Sequence, residues 1–244
     1  MRKLKVLELF SGTRSVSKAF EAHGHETFCV EWDRQFEADL YMDIGKLKAE
    51  KVLKLFGRPD VIWMSPQCDT FSVAAISKHR RENGRGGGLV AISEKAMQDD
   101  RVDVNCMRLL RDLQPLAFWI ENPRGGMRRA EWIQWCPRHT VTYCQYTMDL
   151  PLEQRRMKPT DLWCNIPNPG LKPPCNNGDP CHVRAPRGAR TGTQGLSPVD
   201  RARIPEHLCE HIVEITEDYI ERLDLANEYL VSLGRKPITP TLEE

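Results

Sequence analysis

Short apolar runs alternate along the chain with segments of helical periodicity. Residues 5–10 form an apolar run with branched side chains that ends at the turn-forming pair Ser11-Gly12, a pattern typical of a buried parallel strand. Between residues 94 and 113, apolar positions suit one face of an amphipathic helix. The same criteria predict strands at residues 5–10, 26–31, 60–64 and 116–120 and helices at residues 16–24 and 94–113.

This order of strands and helices predicts an α/β fold with a doubly wound, mostly parallel sheet. Polar residues gather directly after the predicted strands, with Ser11 after the first, Ser65 after a later one and Glu121 after the last. In such a sheet, ligands bind at the carboxyl ends of the strands. We therefore expect the functional residues at that edge.

The chain divides into three predicted parts, and 244 residues suit one sizeable domain with a small appendage. Residues 1–164 carry the α/β pattern. Residues 165–204 are rich in Pro, Gly, Asn, Arg and Cys and lack a period, which indicates an irregular segment. Residues 205–244 begin with a proline and continue as a long amphipathic helix, which we expect to pack on the main domain.

Charge is spread unevenly, although the formal net charge is only +1. Residues 124–190 contain eleven Lys and Arg against five Asp and Glu, whereas residues 205–244 contain three against ten. This asymmetry indicates one face for a polyanion and another turned away from it. No apolar run approaches the roughly 20 residues of a membrane span, and no signal sequence is recognisable. We expect a cytoplasmic monomer whose nine cysteines are reduced.

The turn after the first strand and the end of the second suit a cofactor that contains adenosine. Small residues between Ser11 and Ser15 let backbone amides approach a ligand, and Glu31 is placed to accept hydrogen bonds from ribose hydroxyls. The turn lacks the Gly-x-Gly-x-x-Gly pattern of dinucleotide folds, which disfavours a nicotinamide cofactor. An ordinary turn without a ligand is the alternative.

Cys68 and Glu121 each follow a different predicted strand, on the same edge of the sheet. A free cysteine is usually a small buried hydrophobe, and a glutamate at a strand end is often a helix cap or a solvated charge. Their convergence on one edge instead indicates a nucleophile and acid pair.

Four segments follow one another in the order Phe10-Ser11-Gly12, Pro66-Gln67-Cys68-Asp69-Thr70-Phe71-Ser72, Glu121-Asn122 and Gln154-Arg155-Arg156-Met157-Lys158. Together they resemble the ordered motifs of the cytosine-C5 DNA methyltransferase family, and the small size resembles phage-borne members. Gln67 stands where the family usually has a second proline, Lys158 replaces the last arginine of the fourth motif, and no copy of the C-terminal Gly-Asn motif is clear. The target-recognition part would have to fit between about residues 165 and 205.

The resemblance implies roles for these residues. Cys68 would add to C6 of cytosine, Glu121 would hold N3 and the exocyclic amine, and Arg156 would contact O2. The cofactor would be S-adenosylmethionine, with Trp32 against one adenine face unless that residue belongs to the core. The implied cofactor contacts are Phe10, Gly12, Thr13, Arg14, Ser15, Glu31, Trp32, Asp43, Ile44 and Pro66.

Double-stranded DNA would be the partner, with the target base extruded from the helix. The cationic, glycine-rich residues 77–88 follow the nucleophile and suit a loop that closes over DNA; a solvated surface loop is the alternative. The expected DNA contacts are Ser72, Lys78, Arg80, Arg81, Arg85, Lys158, Arg184, Arg187 and Arg190.

The cysteine-rich segment leaves a metal site open. Cys164, Cys175, Cys181 and His182 are possible zinc ligands, but the segment lacks a Cys-x2-Cys signature and an adjacent cysteine and histidine rarely share an ion without strain. These features favour an unliganded loop whose arginines face DNA.

Other functions remain open at this point. Some relatives in this family methylate cytosine in transfer RNA through the same motifs. A chain with this fold could also transfer another group from a modified sulfonium donor, or bind DNA without catalysis. The presence of both Cys68 and Glu121 disfavours the last alternative.

Overall fold

A computed structural model of the chain describes residues 1–84, 87–185, 193 and 195–240. Seven strands form the central sheet, and two short strands, β5 (Arg80–Glu82) and β6 (Leu89–Ala91), form a separate antiparallel hairpin. The strands of the central sheet are β1 (Lys5–Leu9), β2 (Glu26–Glu31), β3 (Leu40–Tyr41), β4 (Val61–Met64), β7 (Ala117–Pro123), β8 (Arg138–Thr142) and β9 (Pro159–Cys164).

The sheet has the order β3-β2-β1-β4-β7-β9-β8 and is parallel from β3 to β7. Strand order reverses between β1 and β4, and a crevice for ligands opens at such a switch point, at the carboxyl ends of the strands. β9 runs antiparallel to both β7 and β8 at the far edge. The predicted doubly wound, mostly parallel sheet is confirmed.

Helices cover both faces of this sheet. On one face, Phe20 and Ile212 pack with Trp119, and the Trp119 Nε1–H donates to Thr216 Oγ1 at 3.0 Å. On the other face, Val52 and other helical side chains pack against the opposite side of the strands. The helices are α1 (Ser15–Ala22), α2 (Ala49–Leu55), α3 (Ile76–His79), α4 (Glu94–Leu113), α5 (Pro198–Ala202) and α6 (Glu206–Ser232).

Several elements differ from the sequence prediction. β7 continues to Pro123, so Glu121 lies within a strand rather than after it. Residues 77–88 were expected to be a loop, yet they include the end of α3 and all of β5. The apolar stripe of α6 is buried only as far as Leu223, and Tyr229 is exposed. Among the described residues, no helix combines the length and apolarity that crossing a bilayer requires.

Candidate active site

The turn after β1 has an unusual backbone. Phe10, Gly12 and Arg14 have φ angles of 59°, 45° and 57°, in the left-handed region that residues other than glycine rarely adopt. The amides of Phe10 and Ser11 both donate to the Val30 carbonyl, at 3.0 and 3.4 Å, so β2 holds the turn in this shape. Backbone conformations of this kind concentrate at ligand sites, which supports a cofactor role for the turn.

Glu31 joins the turn to the end of β2. Its buried carboxylate accepts hydrogen bonds from the amides of Gly12 at 2.9 Å, Trp32 at 2.8 Å and Asp33 at 3.1 Å. A carboxylate has about four acceptor positions. One position therefore remains for a further donor, such as a ribose hydroxyl.

A cleft of about 360 Å³ opens beside this turn. The expected cofactor residues Phe10, Trp32, Asp43 and Ile44 line it. Trp32 is 60% exposed, so the interpretation of this residue as part of the core is wrong. The contribution of α4 to the cleft could not be predicted, because an amphipathic helix presents many polar side chains and its pattern does not indicate which of them line a cavity. The remaining lining residues are Gln67, Lys95, Gln98, Asp99, Val102 and Asp103.

Thr13 and Ser15 line a second cavity, of about 700 Å³, to which Arg156 also contributes. The hydroxyl oxygens of Thr13 and Ser15 are 2.8 Å apart. The guanidinium of Arg14 forms an ion pair with Glu21 at 2.7 Å. The expected cofactor contacts are thus divided between two cavities on either side of the turn.

Cys68 lies on the loop that follows β4, and its side chain is exposed. The side-chain amide of Asn122 donates to the Pro66 carbonyl at 2.9 Å, which ties this loop to β7. Desolvation of the sulfur and the negative charge of Glu121 raise the pKa of the Cys68 thiol, while the charge of Lys158 lowers it. The net shift is upward, so the thiol is protonated at neutral pH.

Glu121 is buried in β7, next to β4 in the sheet. The Tyr143 hydroxyl donates to its Oε1 at 3.2 Å, and Lys158 Nζ donates to the same hydroxyl oxygen at 3.4 Å. Burial raises the pKa of Glu121, although Lys158, Tyr143 and Ser65 each act in the opposite direction. The Glu121 carboxyl is therefore easier to protonate than that of an exposed glutamate.

Arg156, the third expected catalytic residue, is half-buried on the wall of the larger cavity. Its Nη1 donates to the carbonyls of Glu153 at 2.5 Å and Arg155 at 3.2 Å. These bonds fold the side chain back on its own loop. Contact with a base would require Arg156 to change its rotamer.

Two predicted DNA contacts are instead buried in the protein. Arg80 is 3% exposed, its Nη1 lies 2.7 Å from Asp100 Oδ1, and its Cζ lies 3.5 Å from the ring centroid of Phe71. Lys158 is 7% exposed and donates to the Arg201 carbonyl at 2.7 Å. Both predictions need correction, because each cation is already partnered by groups of the protein.

The other predicted DNA contacts differ in position. Lys78, Arg81 and Arg184 are exposed, and Ser72 is half-buried at the end of the short turn after Cys68. These four residues keep their predicted role as a proposal. The predictions for Arg85, Arg187 and Arg190 fall outside the described residues.

Comparison with known proteins identifies one informative relative. The chain is 31% identical over 228 residues to the probable DNA (cytosine-5)-methyltransferase of Frog virus 3 (isolate Goorha), and the match covers 87% of this chain and 100% of that protein. No protein-family model matches the chain.

Solved structures give weaker likenesses. The EhMeth methyltransferase of Entamoeba histolytica matches with a TM-score of 0.44 and 13% identity, over 67% of this chain and 53% of that protein. A variant of DNMT2 from Spodoptera frugiperda matches with a TM-score of 0.42 and 17% identity, over 66% of this chain and 50% of that protein. The chain thus spans about half the length of these structures, and likeness at this level is uninformative about substrate. On the evidence of the viral relative, the chain belongs to the cytosine-C5 DNA methyltransferase family, whose methyl donor is S-adenosylmethionine.

Proposed function

We propose that the chain methylates C5 of cytosine in double-stranded DNA through a covalent bond between Cys68 and C6 of the base. The observation that carries this proposal is the position of an exposed thiol on the loop after β4 and a buried carboxyl in the neighbouring parallel strand β7, at the edge of the sheet that also forms the cofactor cleft. Nucleophile and acid would therefore meet the base beside the donor.

The proposed reaction begins with attack of the Cys68 sulfur, as a thiolate, on C6. Glu121 gives a proton to N3, so negative charge does not build up on the ring, and C5 becomes an enamine-like carbon. When bound, S-adenosylmethionine would supply an electrophilic methyl group for that carbon and leave as S-adenosylhomocysteine. Loss of the C5 proton to a base or water, departure of the Cys68 thiolate and return of the N3 proton to Glu121 then restore the aromatic ring.

The protonation states of the ligand-free site bear on this sequence of steps. The upward shift in the pKa of Glu121 makes protonation of this carboxyl easier, as donation to N3 requires. The raised pKa of Cys68 means that its proton must leave as the base binds. Transfer of a proton from Glu121 to the base would leave a carboxylate, so the positive charge of Lys158 nearby would offset it. Lys158 thus acts in the proposal as an electrostatic support and not as a DNA contact.

The cofactor would occupy the cleft beside the turn. An adenine ring fits against the exposed face of Trp32, with Asp43 and Ile44 on its edge and Glu31 accepting from the ribose. The left-handed turn at Gly12 would approach the methionine end of the cofactor. Thr13 and Ser15 line the larger cavity and Arg14 is paired with Glu21, so these three residues are left out of the proposed cofactor contacts. Pro66 would close the site from the nucleophile loop.

DNA is favoured as the substrate because the viral relative is described as a probable DNA methyltransferase. The target base must leave the helix, at a cost of a few kcal/mol that protein contacts have to offset. Exposed Lys78, Arg81 and Arg184 would contact phosphates. Arg156 would reach O2 of the extruded base after leaving its contacts with the backbone.

The first test is mass spectrometry of nucleosides after incubation of unmodified DNA, or of transfer RNA, with the protein and S-adenosylmethionine. We expect 5-methyldeoxycytidine with the wild type, none with Cys68→Ala, and undiminished product with Val73→Ala, which alters an exposed side chain of the same segment. Methylation of RNA alone would overturn the choice of DNA, and methylation by Cys68→Ala would overturn the covalent step.

A second experiment isolates the covalent step. DNA that contains 5-fluorocytosine cannot lose the group at C5 as a proton, so the bond between Cys68 and C6 should persist. We expect a complex that survives denaturing electrophoresis with the wild type and Val73→Ala but not with Cys68→Ala. Product formation without such a complex would refute the proposed adduct.

A further inference from the structure

Three cysteines and one histidine that line neither of the two cavities converge on one point. They are Cys144, Cys175, Cys181 and His182, and one ligand atom of each lies within 4.8 Å of all the others. Cys144 and His182 are buried, whereas Cys175 and Cys181 are half-buried. Thiolate and imidazole are the groups that structural zinc sites use.

The structure corrects the ligand set that the sequence suggests. Cys164 lies in β9 within the core, and its thiol donates to the Ile166 carbonyl at 3.6 Å. Cys144 takes its place, on the short turn after β8. Cys144 precedes the irregular segment by many positions, so its proximity to the other ligands could not be predicted from spacing.

The distances agree with a tetrahedral site. Bonds of about 2.3 Å to sulfur and 2.0–2.1 Å to nitrogen give edges of about 3.8 Å between two sulfurs and about 3.5 Å between sulfur and nitrogen. Cys181 Sγ lies 3.8 Å from Cys144 Sγ. His182 Nδ1 lies 3.6 Å from Cys175 Sγ and 3.3 Å from Cys181 Sγ.

One pair of sulfurs is closer than a tetrahedral edge. Cys144 Sγ and Cys175 Sγ are 3.0 Å apart, which is far longer than the roughly 2.05 Å of a disulfide. Metal binding would need these sulfurs to separate by about 0.8 Å, within reach of a small side-chain rotation. The main competing interpretation is therefore a disulfide between these two residues.

Adjacent ligands are compatible with this geometry. Cys181 and His182 converge because the histidine turns its Nδ1 atom, the ring nitrogen nearer the backbone, towards the three sulfurs. The side-chain amide of Gln145 also donates to Cys181 Sγ at 3.5 Å, as groups around metal-bound thiolates do. The strain expected from the adjacent pair is thus avoided by the choice of ring nitrogen.

We infer that Cys144, Cys175, Cys181 and His182 bind one Zn²⁺ ion that fastens the irregular segment to the catalytic domain. Residues 165–185 contain no helix or strand, so a metal would supply the order that a hydrophobic core gives elsewhere. Cys144 directly follows Tyr143, whose hydroxyl contacts Glu121. The ion would therefore also steady one wall of the proposed base site.

The test begins with the untagged full-length protein, freed of loosely bound metal by dialysis against a chelator. We expect about one zinc per chain by inductively coupled plasma mass spectrometry, and three sulfur ligands and one nitrogen ligand by X-ray absorption at the zinc edge. Cys175→Ser and His182→Ala should lose most of the zinc. The matched control, Cys68→Ser, changes an exposed cysteine outside the cluster and should keep it.

Measurements on the unaltered protein cover the case in which these variants fail to fold. Replacement of the ion by Co²⁺ should give thiolate charge-transfer and tetrahedral d–d bands, and removal of the metal should lower Tm. An intact disulfide between Cys144 and Cys175, a metal-free folded protein, one equivalent of iron, or equal zinc loss in Cys68→Ser would each overturn the assignment. None of these outcomes depends on methyl transfer.

Discussion

Replacement of Arg80 by alanine tests whether this cation stabilises the fold or contacts DNA. Its side chain is 1% exposed and lies 2.7 Å from Asp100 Oδ1. Its Nη2 donates to Thr70 Oγ1 at 3.1 Å, and the Thr70 hydroxyl in turn donates to Asp99 at 2.7 Å. Thr70 and Phe71 closely follow Cys68, so this network holds the segment after Cys68 against α4.

The size of the effect follows from what alanine leaves behind. Breaking a buried ion pair costs about 3–5 kcal/mol, chiefly because the remaining charge lacks a partner. The side chain of Asp100 is 32% exposed, so water can solvate part of its charge and reduce the loss. The lost stacking on Phe71 adds about 1–2 kcal/mol. We expect Arg80→Ala to lower the free energy of unfolding by about 3–5 kcal/mol.

Urea unfolding followed by tryptophan fluorescence measures this loss, and binding to a DNA duplex is measured in parallel. The control is Arg81→Ala, which removes the exposed neighbouring cation and should change the free energy of unfolding by less than about 0.5 kcal/mol. If Arg80→Ala retained the stability of the wild type but bound DNA more weakly, Arg80 would be a DNA contact and the reasoning from burial would be refuted.

Three further predictions follow from other contacts. Tyr143→Phe removes the 3.2 Å hydrogen bond to Glu121, so the free energy of unfolding in urea and the transition-state stabilisation measured from kcat/KM should each fall by about 1–3 kcal/mol. Wild-type values of both quantities in the variant would contradict the role of this bond. Gly125→Ala puts a Cβ 2.6 Å from the Phe71 carbonyl oxygen, so Tm and activity should both fall. An unchanged Tm would show that the backbone around Phe71 can move to accommodate the methyl group. Burial raises the pKa of Glu8 to about 7, above its unfolded value, so its contribution to stability falls as pH rises from about 4.5 through 7. Glu8→Gln should therefore gain up to about 3 kcal/mol relative to the wild type between pH 5 and pH 8, and a constant difference in urea unfolding would exclude this titration.

The parallel half of the sheet could be predicted because its strands are buried on both faces. Such strands are continuous apolar runs, for example Val61–Met64, and can be recognised because the segments beside them in the sequence are polar. β8 and β9 were not predicted, because β8 (Arg138–Thr142) is mostly polar and half-exposed and β9 (Pro159–Cys164) begins with a proline. Their structure depends on antiparallel pairing, of β9 with β7 and of β8 with β9, and the contact between β7 and β9 is distant in sequence.

Candidate site residues could be predicted where a motif follows or overlaps a predicted strand. The surroundings of a residue could not be predicted where its contacts come from an element distant in sequence. Cys68 and Glu121 follow from their positions relative to β4 and β7. The burial of Arg80 depends on Asp100, twenty positions later and on another element. A cationic segment looks the same in the sequence whether its charges face solvent or an internal carboxylate.

The exposed, protonated state of Cys68 has a consequence for the lifetime of the protein. Peroxides and disulfides react with thiolates far faster than with thiols. Because its pKa is raised, we expect Cys68 to react more slowly with oxidants than an ordinary exposed thiol, although solvent can reach it. If Cys68 is the nucleophile proposed above, it would then be less exposed to irreversible damage while no base is bound.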